Sequence, residues 1–125
     1  MIKDVSEMKS ILVKILKTHE NVFKIVSDTT DKFEVNGTKP AMQGKKKVEG
    51  HYFATLMSKP KDVRFYFFPA YTHADEIKPL MNEMVTKFLK GKSCFHIKKM
   101  DESIQENLKV IIDKGVELYK KDGLL

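Results

Sequence analysis

Residues 63–68 read VRFYFF and are followed at once by Pro69. Aromatic and β-branched residues favour extended backbone, and this run is apolar on both sides, which is typical of a central strand. Pro69 has no backbone N–H to donate to a strand ladder, so it marks the end of this strand. A second run, 50–58, reaches the first through a turn that contains Pro60. The two runs predict neighbouring antiparallel strands at the centre of a sheet.

Three further segments have β-branched or aromatic residues in alternation with polar ones, and we expect a strand in each: 22–26, 32–35 and 94–98. The second of these ends at Asn36-Gly37, a strong turn signal.

Apolar residues recur at helical spacing in three segments, 6–18, 75–89 and 101–123, and each predicts a helix. Ser6 and Asp101 are the expected N-caps, because each is followed by an acidic residue in the first turn.

The middle helix, 75–89, has the clearest pattern in the chain, with seven apolar residues on one face. Pro79 is expected in its first turn, where a missing N–H is tolerated. Gly91 is expected to end the helix as its C′ residue.

The predicted order of elements is α-β-β-β-β-α-β-α. Successive strands joined by short turns favour an α+β fold, a mainly antiparallel five-stranded sheet with helices packed on one face. The 125 residues contain no repeat, linker or shift in composition, so we expect a single domain over 1–125.

The composition excludes several classes of protein. Hydrophobic residues make up 42% and charged residues 32%, as in ordinary globular domains. The one cysteine, Cys94, excludes an intrachain disulfide, and together with the lack of a signal-peptide pattern it predicts a cytoplasmic protein. No apolar stretch approaches the roughly 20 residues of a membrane helix, so no membrane partner is expected.

The net charge of +6 and the pI of about 9.3 are typical of proteins that bind nucleic acid. However, Arg64 is the only arginine among 23 basic residues, and arginine supplies the planar fork that grips phosphate and reads guanine. The lysines are also interleaved with 17 acidic residues. We therefore expect no nucleic-acid partner, and the dense lysine run 45–47 is interpreted as a solvated loop tip.

Two stretches carry a resemblance to a known family. Residues 63–71 form an aromatic strand that ends in Pro-Ala-Tyr, and residues 91–98 read GKSCFHIK before a last helix ending in GVELY. The pattern resembles the YdhG-like family of small bacterial domains of unknown function, from about the first helix to the last. The resemblance implies an α+β fold with a helix-flanked, mainly antiparallel sheet, and it implies no reaction. Some distant relatives are frataxin-like iron chaperones, which makes an iron carrier one alternative function.

Cys94 and His96 lie two residues apart on a predicted strand and therefore share a face. A thiolate beside an imidazole can act as a nucleophile, so a second alternative is an enzyme with Cys94 as nucleophile and His96 or His51 as base. No third ligand accompanies the pair at metal-site spacing and the acidic residues are scattered, so neither a metal nor a cofactor is expected. The other histidines, His19 and His73, together with His51, are expected at solvated element ends.

The strongest candidate site is one face of the predicted sheet. Strand alternation puts six chemically varied side chains on one outer face, with Tyr71 at its rim: Arg64, Tyr66, Phe68, Cys94, His96 and Lys98. A guanidinium, a phenol, an imidazole and an ammonium over an apolar floor can hold a small anionic ligand or a partner. We therefore expect a non-enzymatic domain that binds a small anionic molecule or a protein partner on this face. A second copy of the chain would cover the same face in a homodimer.

Overall fold

A six-stranded antiparallel sheet forms the centre of the fold, in a computed structural model that describes residues 1–125. The strands are β1 Phe23–Asp28, β2 Lys32–Gly37, β3 Ala41–Gln43, β4 Lys46–Val48, β5 Tyr52–Ser58, β6 Val63–Phe67, β7 Leu89–Lys90 and β8 Cys94–Ile97. The helices are α1 Val5–Lys17, α2 Pro69–Thr72, α3 Ala74–Ile77, α4 Glu83–Phe88 and α5 Glu102–Lys121, with 3-10 turns at Glu20–Val22 and Lys78–Leu80. None of the helices has the length and apolar character needed to cross a membrane.

The sheet has the order β1-β2-β5-β6-β8-β7, and every strand pair in it is antiparallel. The α+β class is therefore confirmed, with β5 and β6 at the centre. The prediction of five strands is wrong. The two-residue β7 adds a sixth strand to the sheet, and β3 and β4 form a separate hairpin. Both additions are too short to leave a pattern of alternation in the sequence.

The hairpin changes the interpretation of the lysine run. Only Gly44, with a positive φ of 64°, and Lys45 form its turn, while Lys46 and Lys47 belong to β4. All three lysines are exposed, as expected. The loop tip is therefore shorter than predicted, because the chain uses Gly44 for the left-handed conformation that a tight turn requires.

The hydrophobic core lies on one side of the sheet. Alternate strand residues are fully buried there, among them Phe33, Phe65, Phe67, Phe95 and Ile97. Helix α1 contacts β5 and β6, α4 contacts β8, and α5 contacts both helices. Burial of one such side chain contributes about 1.5–3 kcal/mol, so this layer is the main source of stability.

A bulge in β5 changes which residues face the core. Val35 is paired with Ala54 and Asn36 with Tyr52, so that Phe53 is the extra residue. Both Phe53 and Ala54 are fully buried. As a consequence Tyr52 points to the opposite face of the sheet, beside Thr55.

The prediction of one continuous helix over 75–89 is wrong. The chain forms α3, a 3-10 turn and then α4, which begins where the Asn82 Oδ1 accepts the Val85 N–H at 2.9 Å. Pro79 lies in the 3-10 turn instead of a first helical turn. Asn107 of α5 stabilises the break, because its amide accepts the Asn82 N–H and donates to the Leu80 carbonyl, both at 2.9 Å.

Two expected helix ends also differ. Asp4, not Ser6, is the N-cap of α1, and its carboxylate accepts the Glu7 N–H at 2.9 Å. Both residue types can cap a helix, and the earlier one does so here. Gly91 is not a C′ residue, because α4 runs directly into β7; its positive φ of 68° forms the turn between β7 and β8. Asp101 caps α5 as predicted.

Candidate functional site

The sheet face opposite the core, called the open face below, carries two rows of side chains that strand pairing brings side by side. The first row crosses β2, β5, β6 and β8 through Glu34, Thr55, Tyr66 and Cys94. The second row crosses the same strands through Lys32, Met57, Arg64 and His96. Apart from the buried Thr55, these side chains are half-buried. The open face therefore brings together four predicted site residues from two strands.

Arg64 is held in place by Asp62, the residue two positions before it. The Arg64 Nε donates to the Asp62 Oδ1 at 2.7 Å, and the Asp62 side chain is only 9% exposed. This hydrogen bond raises the pKa of the Arg64 guanidinium. Neither terminal guanidinium nitrogen makes a hydrogen bond within the chain. The buried carboxylate therefore orients the arginine while its two outer NH₂ groups stay free to bind an acceptor.

His96 faces Arg64 directly across the β6–β8 pair. Burial and then the charge of Arg64 lower the pKa of the His96 imidazole, with Lys90 and Lys98 acting in the same direction. The imidazole is therefore neutral at pH 7, and the positive charge of the site comes from the arginine and the two lysines. Lys98 itself is exposed just beyond the end of β8.

Tyr66 and Cys94 form the neighbouring cross-strand pair. Burial raises the pKa of the Cys94 thiol, against the opposing effects of the Tyr66 hydroxyl and the Arg64 charge. Burial is also the main reason why the pKa of Tyr66 is raised. Cys94 is thus a neutral thiol at pH 7, whereas a cysteine nucleophile requires a lowered pKa or an adjacent base.

The remaining two predicted site residues, Phe68 and Tyr71, follow the end of β6. Phe68 is not part of the aromatic strand, which ends at Phe67, but starts the turn into α2. Its ring packs against those of Tyr52 and Tyr71, with centroids 5.4 and 5.7 Å away. Tyr71 is 49% exposed, and the Lys92 Nζ lies 5.1 Å from its ring centroid. Pro69 begins a helix directly after the strand, which is why β6 ends at Phe67.

The expectation of a solvated side chain is wrong for His51, which is buried, whereas His19 and His73 are half-buried at the element ends where they were expected. His51 is buried against Tyr119 of α5, whose hydroxyl lies 3.2 Å from its Nδ1, so it is on the core side and not beside Cys94. His19 contacts the carboxylate of Asp113 in α5, and His73 contacts that of Asp122 at the C-cap of the same helix, both at 2.7 Å. All three histidines therefore make polar contacts that connect α5 and its C-cap to earlier parts of the chain.

No group of three or more His, Cys, Asp or Glu side chains is arranged to hold a metal ion. The alternative of a frataxin-like iron carrier therefore finds no ligand set to support it.

Sequence reasoning missed a hydrogen-bonded chain on the open face. The Tyr52 hydroxyl contacts the Thr55 hydroxyl, which donates to the Glu34 Oε1 at 3.2 Å. Burial raises the pKa of Tyr52 to about 12. The bulge in β5 hid this chain, because simple alternation would not put Tyr52 on the same face as Thr55.

Two clefts of similar volume flank the sheet. One, of about 540 Å³, lies between the open face and the β3–β4 hairpin, with Tyr52 and Glu34 among its lining residues. The other, of about 510 Å³, lies between α1 and the β1–β2 turn and includes none of the predicted site residues.

In comparisons with known proteins, no family model, no curated protein and no solved structure matches this chain. The resemblance to the YdhG-like family therefore stays a prediction.

Proposed function

We propose that this protein is a non-enzymatic, cytoplasmic binding domain whose open face takes an anionic group on Arg64. The group is a carboxylate or a phosphate, carried by a small molecule or by a protein partner. Nucleic acid and membranes are not part of the proposal, since Arg64 is the only arginine of the chain.

One observation carries the proposal, the position of Arg64. Its Nε is bound to a nearly buried carboxylate, and its outer nitrogens have no acceptor in the chain. A guanidinium fixed in this way loses little side-chain entropy when it binds, and its fork matches the two oxygens of a carboxylate or phosphate.

The surroundings of Arg64 support the same chemistry. Lys90 and Lys98 lie near enough to His96 to lower its pKa, so they add positive charge around the arginine. The neutral imidazole of His96 and the hydroxyl of Tyr66 can each donate a hydrogen bond to an anion. The protonated thiol of Cys94 favours binding over nucleophilic chemistry at this site.

The test is a two-dimensional ¹H–¹⁵N NMR titration with inorganic phosphate and with acetate, the simplest forms of the two anions. We expect the shifts to concentrate on β6 and β8 and to vanish in Arg64→Gln. Lys87→Gln removes one exposed charge from α4 and is the matched control, which should leave the shifts unchanged. Shifts spread over lysines throughout the chain, or kept in Arg64→Gln, would contradict the proposal.

A native mass spectrum distinguishes the sources of the anion. Extra mass that is lost on denaturation and absent from Arg64→Gln would indicate a bound small molecule. A dimeric mass that Tyr66→Lys returns to the monomer would instead assign the open face to a second copy of the chain.

A further inference from the structure

His96 is the one side chain in the two rows of the open face that changes its charge near neutral pH. Histidine is the only residue type whose ordinary pKa lies between about pH 5 and 8. Burial raises the pKa values of Tyr66 and Cys94, which moves them further from this range. A change in the charge of the open face between these limits therefore depends on the protonation of His96.

The fold places this imidazole directly beside the arginine. Arg64 and His96 are partners in the antiparallel pairing of β6 with β8, and both are half-buried on the open face. The Cβ atoms of such a pair lie about 4.5–5.5 Å apart. The guanidinium is held by Asp62 through its Nε, while its outer nitrogens have no acceptor in the chain. An anion bound to those nitrogens therefore comes within electrostatic reach of the imidazole.

The charges around His96 oppose its protonation as long as no anion is bound. Burial is the first reason why the pKa of the imidazole is low, and the charges of Arg64, Lys90 and Lys98 lower it further. Asp62, which precedes β6, is the one carboxylate that acts in the opposite direction. The surroundings of the imidazole are positive on balance, and a bound anion would cancel part of that charge.

We propose that binding of an anion on Arg64 is coupled to the uptake of a proton by His96, so that the open face binds anions more tightly as the pH falls. This inference rests on the proposed function, because it needs an anion at Arg64. The anion cancels positive charge that disfavours the imidazolium, and the imidazolium gives the anion a second ionic partner. Both effects express one coupling free energy, so the anion must favour the proton as much as the proton favours the anion.

The coupling also favours one class of anion. The attraction between an imidazolium and a ligand grows with the charge of the ligand. A doubly charged tetrahedral group, such as a phosphate or sulfate dianion, therefore gains more from proton uptake than a carboxylate does.

The test is the affinity of the full chain for sulfate at about pH 5.5 and pH 8, measured by NMR titration. Sulfate remains doubly charged over this range, whereas a phosphate group changes its own charge at about pH 6. We expect the dissociation constant to fall about fivefold or more from pH 8 to pH 5.5, and to change less for acetate. The same affinity for sulfate at both pH values would overturn the proposal, and an equal change for acetate would overturn the preference for a dianion.

Matched substitutions separate His96 from the general charge of the chain. His96→Gln should reduce the pH dependence to less than about twofold and leave the affinity at pH 8 nearly unchanged, since glutamine can still donate a hydrogen bond. His19→Gln is the matched control, because His19 is also half-buried but contacts Asp113 of α5 away from the open face. It should keep the full pH dependence. A folded His96→Gln variant with the pH dependence of the original chain would refute the assignment.

The imidazole of the unmodified protein gives a second readout that needs no variant. The ¹³Cε1 shift of His96, followed against pH, should have a midpoint that sulfate moves to higher pH. The movement should match the change in affinity, with a tenfold change in affinity corresponding to about one pH unit. An unmoved midpoint, in a sample whose β6 and β8 amides show bound sulfate, would refute the coupling even where His96→Gln does not fold.

Failure of the coupling and failure of the proposed function have different signatures. Sulfate that binds equally at both pH values, and does not bind to Arg64→Gln, would refute the coupling and leave the anion site intact. Sulfate that binds at neither pH, or that still binds to Arg64→Gln, would refute the anion site and the coupling together.

Discussion

The two faces of the sheet are built from the same strands and yet follow different rules. On the core face, Phe65 and Phe67 are fully buried and pack against other apolar side chains. On the open face, Arg64 and Tyr66 alternate with them along β6 and are half-buried among polar partners. The core face stabilises the fold because it removes apolar area from water. The open face instead carries polar groups that are held in place but do not use all of their hydrogen-bonding capacity within the chain.

This comparison shows how a small domain can combine stability with a binding surface. The helices α1, α4 and α5 pack on the core face, so we expect stability to depend mainly on the residues of that face. Matched substitutions on the two faces test that separation.

The most direct comparison uses adjacent residues of β5. Leu56 is fully buried on the core face, while its neighbour Met57 is half-buried on the open face. We expect Leu56→Ala to lower the free energy of unfolding by about 2–5 kcal/mol, because it leaves a cavity in the core. Met57→Ala should cost less than about 1 kcal/mol. Urea denaturation measures both, and equal losses would mean that the faces are not energetically distinct.

Gly115 tests how tightly α5 is packed on the core face. A Cβ at this position would lie 2.7 Å from the Phe67 Cζ and 3.1 Å from the Pro69 Cγ. Gly115→Ala should therefore destabilise by about 1–2 kcal/mol, although alanine is the better helix former. Phe67→Leu removes the ring atom that the new methyl group meets. We therefore expect the double variant to lose less free energy of unfolding than the sum of the two single losses. Stabilisation by Gly115→Ala alone would show that the packing is loose.

Removal of one hydroxyl compares polar groups on the two faces. The Tyr119 hydroxyl donates to the Tyr52 carbonyl at 2.7 Å and contacts His51 within the core. Tyr119→Phe should cost about 1–2 kcal/mol, because buried acceptors lose their donor. Tyr66→Phe on the open face should change the free energy of unfolding by less than about 0.5 kcal/mol. A larger loss from Tyr66→Phe would contradict the proposed division.

The smallest effect concerns the reactivity of the Cys94 thiol. Because its pKa is raised, alkylation by iodoacetamide should be slower at pH 8 than for the denatured chain, with a rate midpoint at higher pH. Folding favours the protonated thiol, so this contribution to stability is present below the usual thiol pKa and is lost as pH rises through the raised one. Tyr66→Phe should move the midpoint higher still, since the Tyr66 hydroxyl opposes the shift. A midpoint below that of the denatured chain would restore the nucleophile alternative.

Much of this architecture could be predicted from local patterns. The alternation in β2, β6 and β8 indicated which side chains are buried, and the α+β class followed from the order of elements. Elements with weak local signals could not be predicted in the same way. The hairpin of β3 and β4 has three residues in each strand, and the break between α3 and α4 depends on Asn107, which is 25 residues away from Asn82.

In the candidate site, too, some features follow from local sequence and others depend on contacts between distant residues. Local sequence is enough to predict that Arg64 and Tyr66 share a face, as do Cys94 and His96, because side chains alternate along an extended chain with a period of two. That Arg64 lies opposite His96, and that Tyr52 and Glu34 line one cleft, is seen only in the folded chain. The physical reason is that strand register, a bulge and the path of a hairpin depend on pairing between distant segments, which no local pattern encodes.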